Sequence, residues 1–240
     1  MSSFGRFVVA TLPLAPRFLV GRVAARYFEF FAGIADKIMG NTIPLGPGYL
    51  DYTIREPIGV SAQIVPWNYP ILLMTWKLAP ALAAGNTVVI KPSPFTPLST
   101  LQLCDALADI FPPGVVNVVT GEAEAGAALV SAEEVSLVAF TGSVETGKRV
   151  MDAAARRMTK VHLELGGKDA FIVCDDVDVA VAAKGAVWAA YLNTGQVCTS
   201  AERFYVLKDV YDDFVEAVVD EAGRLVIGNP MEEATDVGPM

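Results

Sequence analysis

Histidine is almost missing from this chain: His162 is the only one in 240 residues. A metal site rich in histidine is therefore excluded, and any Ser–His or Cys–His pair would have to use that residue. Cysteine is scarce too. Cys104, Cys174 and Cys198 are odd in number and far apart, which fits neither a disulfide framework nor a zinc knuckle. A reducing, cytoplasmic compartment is the simplest expectation. Positive charge is the minority sign, with 18 Lys and Arg against 27 Asp and Glu and a net charge of −9. Without a basic cluster, nucleic acid is not an expected partner. Nowhere do about 18 apolar residues follow one another, so a membrane-spanning helix is not expected despite a mean hydropathy of +0.43. Internal repeats and low-complexity linkers are absent as well.

What is present is apolar material in quantity, 53% of residues, enough for one or two packed domains. The N-terminus stands apart. Arg6, Arg17, Arg22 and Arg26 precede the first acid, Glu29, and an apolar stretch, 7–16, lies between the first two. This has some features of a targeting segment. Pro13 and Pro16 are expected to interrupt any helix there.

From position 58 onward, short β-branched runs alternate with longer Ala/Leu-rich stretches. Strands are expected at 59–65, 87–91, 115–119, 136–140, 160–165 and 170–174, and helices at 71–84, 97–109, 122–130, 144–155 and 177–192. Continuous apolar strands suit burial on both faces, and their alternation with helices implies βαβ units. The expected fold is α/β: a doubly wound, Rossmann-like parallel sheet with the beginning of a second α/β domain. Gly85 reads as a left-handed helix cap, Pro112-Pro113-Gly114 as a helix stop, and Asp175 or Asp176 as a cap for the following helix. The stretch 46–55 alternates loosely after a Gly/Pro loop. It reads as an extended arm that pairs with another subunit, or as an ordinary edge strand.

Several residues have chemistry that packing alone does not require. Cys198 sits in small, polar surroundings, Asn193-Thr194-Gly195-Gln196-Val197-Cys198-Thr199-Ser200, whereas Cys104 and Cys174 read as small buried hydrophobes. A thiol is only a few per cent ionised near neutrality, so a nucleophilic Cys198 needs a base or a nearby cation. Glu164 ends an apolar strand just before Gly166-Gly167. A partly desolvated carboxylate there would act as a base; the alternative is a Glu that bridges the turn. His162 shares its strand face with Glu164 and would pair with it or serve as a structural histidine. Phe140-Thr141-Gly142-Ser143-Val144-Glu145-Thr146-Gly147-Lys148 is a strand–turn–helix whose free N–H groups suit a phosphate, although its spacing is neither G-x-G-x-x-G nor a complete P-loop. Lys91, at a strand end before Pro92-Ser93-Pro94, is placed to bond a sugar hydroxyl or phosphate. Asn68, in Val65-Pro66-Trp67-Asn68-Tyr69-Pro70, would donate to an oxyanion, and Lys77 would perturb a thiol or relay a proton.

Taken in order, Pro66-Trp67-Asn68-Tyr69-Pro70, Lys91-Pro92-Ser93, Phe140-Thr141-Gly142-Ser143, Leu163-Glu164-Leu165-Gly166-Gly167-Lys168 and Gly195-Gln196-Val197-Cys198 resemble the aldehyde dehydrogenase superfamily. The resemblance covers roughly 22–240 and implies an NAD(P)-dependent, hydrolytic enzyme that converts an aldehyde to a carboxylic acid. It implies Cys198 as nucleophile, Asn68 with the Cys198 N–H as oxyanion site, Glu164 as the base that hydrolyses a thioester, and Lys77 as an aid to proton transfer. It further implies Lys91 and Ser93 at the adenosine ribose and Gly142, Ser143 and Gly147 at the pyrophosphate turn. Val65, Pro66 and Trp67 would line the cofactor cleft, and Leu165 would contact the nicotinamide side through its backbone. NAD is the expected cofactor, with NADP as the alternative, because Pro94 stands where NAD-preferring members carry an acid. On this reading 1–165 is a partial nucleotide-binding domain, with 46–60 as an oligomerisation arm, and 166–240 begins the catalytic domain. Full-length members extend further at both ends, so the resemblance is to the middle portion of such an enzyme. Expected partners are a small aldehyde, further copies as in the family, and a complementary chain. Two other readings stay open: a non-catalytic nucleotide-binding or interaction module, and a Cys hydrolase without a cofactor.

Overall fold

The computed structural model describes residues 14–239. The part of the 7–16 stretch before Leu14 lies outside them. Within the described residues, Val20–Glu164 forms one compact unit and 165–239 belong to a second.

The first unit contains most of α1 (Leu14–Ile34), a small hairpin of β1 (Thr42–Ile43) and β2 (Asp51–Tyr52), and then β3 (Val60–Ile64), α2 (Pro70–Ala83), β4 (Thr87–Lys91), α3 (Leu98–Ala108), β5 (Val116–Val118), α4 (Ala123–Ser131), β6 (Val135–Gly142), α5 (Val144–Ala155) and β7 (Lys160–Leu165). The five longer strands form a parallel sheet in the order β5-β4-β3-β6-β7. Travelling along the chain, the sheet grows outward from β3 through β4 to β5, then returns to the other side of β3. Right-handed crossovers therefore put α2 and α3 on one face and α4 and α5 on the other. Ala62 pairs with Val138 in the β3–β6 register, and both are fully buried. Met74 and Leu78 of α2 and Val88 and Ile90 of β4 complete a core closed to water.

Local signals account for the boundaries. Pro70 starts α2, where its missing N–H has no intrahelical partner to lose. Gly85 takes the left-handed conformation at φ +77°, as its place after a helix predicts. Ser143 caps α5 by accepting from the Thr146 N–H at 3.2 Å. The 42–52 stretch is a hairpin, Thr42 opposite Tyr52.

Two sequence expectations are corrected. Helix α1 starts at Leu14 and runs through Pro16. Proline interrupts a helix only where it removes a bond, and in the first turn there is none to remove. The cap of the helix after Asp175-Asp176 is neither of those residues but Asp178, whose carboxylate accepts from the N–H groups of Ala180 and Val181.

The second unit has β8 (Asp169–Val173), α6 (Val179–Tyr191), β9 (Ala201–Val206) and α7 (Tyr211–Gly223). β8 and β9 are parallel, so α6 is a crossover helix. Val173, Ala182, Ala186 and Phe214 form its core, with Phe171 and Val206 packed against them. β9 carries no strong sequence signal: the strand pattern of Ala201–Val206 is mostly exposed, which hides the apolar alternation.

Leu78→Ala removes a side chain with no exposure at all. It should lower unfolding free energy by about 2–5 kcal/mol in urea titrations. Phe95→Ala, at 83% exposure, should change it by less than about 0.5 kcal/mol.

Candidate active site

In a doubly wound sheet, ligands bind beyond the carboxyl ends of the strands where the winding reverses. Here that point lies between β3 and β6, and the strand ends there carry most of the residues singled out from sequence. Side chains alternate across the sheet, so Ile64 and Phe140 face α4 and α5, while Ser61, Gln63 and Ala139 face the α2 side. Each face has its own hollow.

The hollow on the α4–α5 face, about 360 Å³, is lined by Ile64, Lys91, Gly126, Phe140, Thr146 and Arg149 among others. Lys91 ends β4. Its stem passes Gly126 so closely that a Cβ there would lie 3.5 and 3.6 Å from its Cδ and Cε. Its ammonium donates to the Pro92 carbonyl at 3.3 Å. Burial lowers its pKa from the ordinary 10.5, partly opposed by the negative charge of Glu122. Ser93 is buried on the loop that follows and accepts from the Phe95 N–H. The β6–α5 turn needs its glycine: a Cβ on Gly142 would meet the Phe140 ring at 2.5 Å. Gly147 is buried inside α5. The small side chains of α4 and α5 keep this slot open, and its dimensions and Lys91 fit the adenosine part of a dinucleotide.

The opposite hollow, about 810 Å³, is lined by Ser61, Gln63, Trp76, Lys77, His162 and Glu164 among others. Lys77 reaches from α2 to the end of β6 and donates to the Thr141 hydroxyl at 2.5 Å. Lys77 is buried, and desolvation lowers its pKa, with Glu164 pulling the other way. Gln63 secures the same turn of α2 by donating to the Lys77 carbonyl at 3.0 Å. Its own Oε1 and the Ser61 Oγ are buried without a hydrogen-bond partner among the described residues. His162 and Glu164 pair at 3.0 Å on the outer part of β7. The carboxylate expected to be desolvated is thus 59% exposed and engaged by the histidine. A strand at the sheet edge leaves alternate positions open to water, and period two brings His162 to Glu164.

Val65 is buried behind the β3–α2 loop, Pro66 and Asn68 are half-buried and Trp67 is exposed. The Trp67 carbonyl accepts from the Thr96 hydroxyl at 3.1 Å, tying this loop to the one after β4. Thr141 and Gln63 had no role assigned from sequence. Thr141 lay inside a quoted motif, but nothing in the one-dimensional pattern links it to a lysine 64 positions away.

In the second unit, Cys198 is exposed on a turn closed by the Ser200 N–H to the Val197 carbonyl at 3.1 Å. The Ser200 hydroxyl anchors the turn to the Ala189 carbonyl at the end of α6. Asn193 and Thr194, just before it, both have left-handed backbone, φ 51° and 62°. For the β-branched Thr194 this is strained, and the strain lies just before the turn that carries Cys198. Cys104 is buried, and burial pushes its thiol up to about 11, which suppresses its reactivity; Cys174, expected from sequence to be a small buried hydrophobe, is instead exposed, because it stands just past the end of β8. Leu165 ends β7 and is half-buried. Among the described residues no cluster of three or more His, Cys, Asp or Glu could hold a metal ion.

Lys77 carries a pH signature. Its folded pKa is below the unfolded value near 10.5. Between the two, the unfolded chain holds a proton that the folded chain has released, so this group makes unfolding free energy rise with pH across that window. Lys77→Met, which keeps an unbranched stem, removes the contribution. The stability of the wild type relative to Lys77→Met should climb as pH rises towards about 10.5, followed by urea midpoints; a flat difference would contradict the assigned burial.

The chain matches the aldehyde dehydrogenase family over residues 19–240. It is 47% identical to retinaldehyde dehydrogenase 3 of Mus musculus over 215 residues, 88% of this chain and 42% of that protein. With cytosolic aldehyde dehydrogenase 1 of the same species it shares 44% identity over 220 residues, 90% of this chain and 44% of the relative. Against the crystal structure of betaine aldehyde dehydrogenase from Staphylococcus aureus in complex with NAD+, the TM-score is 0.95 at 37% identity, covering 99% of this chain and 48% of that one. The chain spans less than half the length of these relatives. With the family's motifs in order on the matching fold, this chain belongs to the aldehyde dehydrogenase family.

Proposed function

We propose that the chain takes part in the NAD(P)-dependent oxidation of an aldehyde to a carboxylic acid. The observation that supports this most is the bond from Lys77 to Thr141 in a hollow that Glu164 also lines, beneath a sheet whose other face opens an adenosine-sized slot at Lys91. Family membership supports the chemistry, and the relative solved with NAD+ supports the cofactor.

The Cys198 sulfur, exposed on its turn, adds to the aldehyde carbon. The family reading gives Asn68 and the Cys198 N–H as donors to the resulting oxyanion, whose charge such donors stabilise. A bound nicotinamide would supply the hydride acceptor for that carbon, and Cys198 would then hold the acyl group as a thioester. Glu164 takes a proton from water, the water oxygen bonds to the acyl carbon, and the carbon–sulfur bond breaks. The products are the carboxylic acid and the free thiol. His162 holds the Glu164 carboxylate, and Thr141 orients the Lys77 ammonium for proton transfer. Lys91 and Ser93 would hold the adenosine ribose, and Gly142, Ser143 and Gly147 would form the turn at the pyrophosphate. Val65, Pro66 and Trp67 would border the cofactor, and the backbone of Leu165 would face its nicotinamide end.

By the same reading 1–165 is the nucleotide-binding part and 166–240 the start of the catalytic part. Exposed Tyr49, Leu50, Tyr52 and Ile54 support 46–60 as an arm for another subunit. Free exposed cysteines suit a reducing, cytoplasmic setting.

The test is aldehyde-dependent formation of reduced nicotinamide. Cys198→Ser should lower turnover by at least about a thousandfold while cofactor binding persists. Undiminished turnover in that variant would overturn the assignment. Cofactor binding without turnover in the unaltered chain would favour a binding module.

A further inference from the structure

Lys77 is placed for a second chemistry beside proton transfer, an inference that rests on the reading of an aldehyde as substrate. Its side chain is buried, and its ammonium reaches the end of β6 from inside α2. Among the described residues it has no ion-pair partner: Glu164, which lines the same hollow, bonds His162 instead. The Thr141 hydroxyl, to which Lys77 does bond, accepts from an ammonium and can donate to a neutral amine, so it serves both forms. Lys91 differs. Its ammonium donates to the Pro92 carbonyl, which is an acceptor only and holds the charged form. Desolvation lowers the Lys77 pKa, which raises the share of neutral amine near neutral pH. Lysines desolvated in a cavity are the kind that add to carbonyl groups.

The hollow around Lys77, about 810 Å³, has room for a small aldehyde, and Trp76, Leu137 and Ala139 give its carbon chain an apolar wall. We propose that Lys77 forms a reversible imine with small aldehydes that enter this hollow, a second covalent aldehyde site besides Cys198. The neutral Nζ adds to the carbonyl carbon, a nitrogen–carbon bond forms, and one Nζ proton moves to the carbonyl oxygen. The carbon–oxygen bond of this carbinolamine then breaks, and the oxygen leaves as water with the second Nζ proton. Glu164, in the same lining, is the group that takes a proton from nitrogen and returns it to the departing oxygen. Nothing is oxidised or reduced, and water reverses the step. While the imine lasts, Lys77 is withdrawn from proton transfer, so excess aldehyde slows oxidation.

The test is reductive trapping on the full 240-residue chain carrying Cys198→Ser, so that the Cys198 thiol cannot take the probe. Butanal is added at neutral pH with cyanoborohydride, which reduces an imine to a stable amine, and peptide mass mapping reads the rate at each lysine. Lys77 should be alkylated at least about tenfold faster than the exposed Lys148 and Lys208, because each unit of lowered pKa multiplies the amine fraction about tenfold. In urea that unfolds the chain, the preference should vanish. Labelling of Lys77 no faster than that of Lys148 in the folded chain overturns the inference. A preference that persists in urea overturns it too, as does labelling of Lys91 ahead of Lys77. Aldehyde oxidation by the unaltered chain with no preferential labelling of Lys77 overturns this inference alone and leaves the oxidation reading standing. Preferential labelling in a chain that shows no oxidation upholds the imine and counts against the oxidation reading.

Discussion

The parallel pairing of β3 with β6 sets the position of everything else in the first unit. Once Ala62 lies against Val138 in a sheet buried on both faces, the chain has to wind outward to β5 on one side and to β7 on the other. The crossover helices are thereby split between the faces, and the carboxyl ends of β3 and β6 open onto the gap between the two windings. Lys91, Phe140, Thr141 and Gly142 are functional candidates because they are the strand-end residues at that gap, with Lys91 on the neighbouring strand.

The sheet also separates two kinds of chemistry by residue parity. Ile64 and Phe140 point to the slot between α4 and α5, where Gly126 and alanines leave room for a flat base. Gln63 and Ala139 point to the α2 side, where Lys77, His162 and Glu164 gather. A buried ammonium is costly, and the structure compensates through the Thr141 hydroxyl and the field of Glu164. Two polar groups in the same hollow, Ser61 Oγ and Gln63 Oε1, have no protein partner among the described residues. Buried polar atoms are normally bonded, so this face is suited to a further polar occupant.

Much of this was legible in the residues themselves. Helix α5 and strands β4 and β7 fall where the pattern placed them, because caps and apolar runs coincide there. The family was legible because four of its five motifs sit at strand ends and the fifth on the turn after α6, where chemistry rather than packing selects the residue. What stayed hidden depends on distance or on solvent. The bond between Lys77 and Thr141 joins positions 64 apart. The exposure of Glu164 follows from β7 lying at the sheet edge, which no local pattern reports. α1 was misread at Pro16 because a proline's effect depends on which turn of a helix it occupies. Asp178 was missed as a cap because the helix starts later than its apolar run.

Amide hydrogen exchange with and without saturating NAD+ tests the central claim most directly, that the reversal between β3 and β6 forms a nucleotide site. Exchange is predicted to slow in the loop after β4, at the start of α4 and through the β6–α5 turn, with Lys91, Gly126 and Gly142 inside the protected segments. Unchanged exchange in those three segments, or slowing confined to α6 and α7, would contradict it.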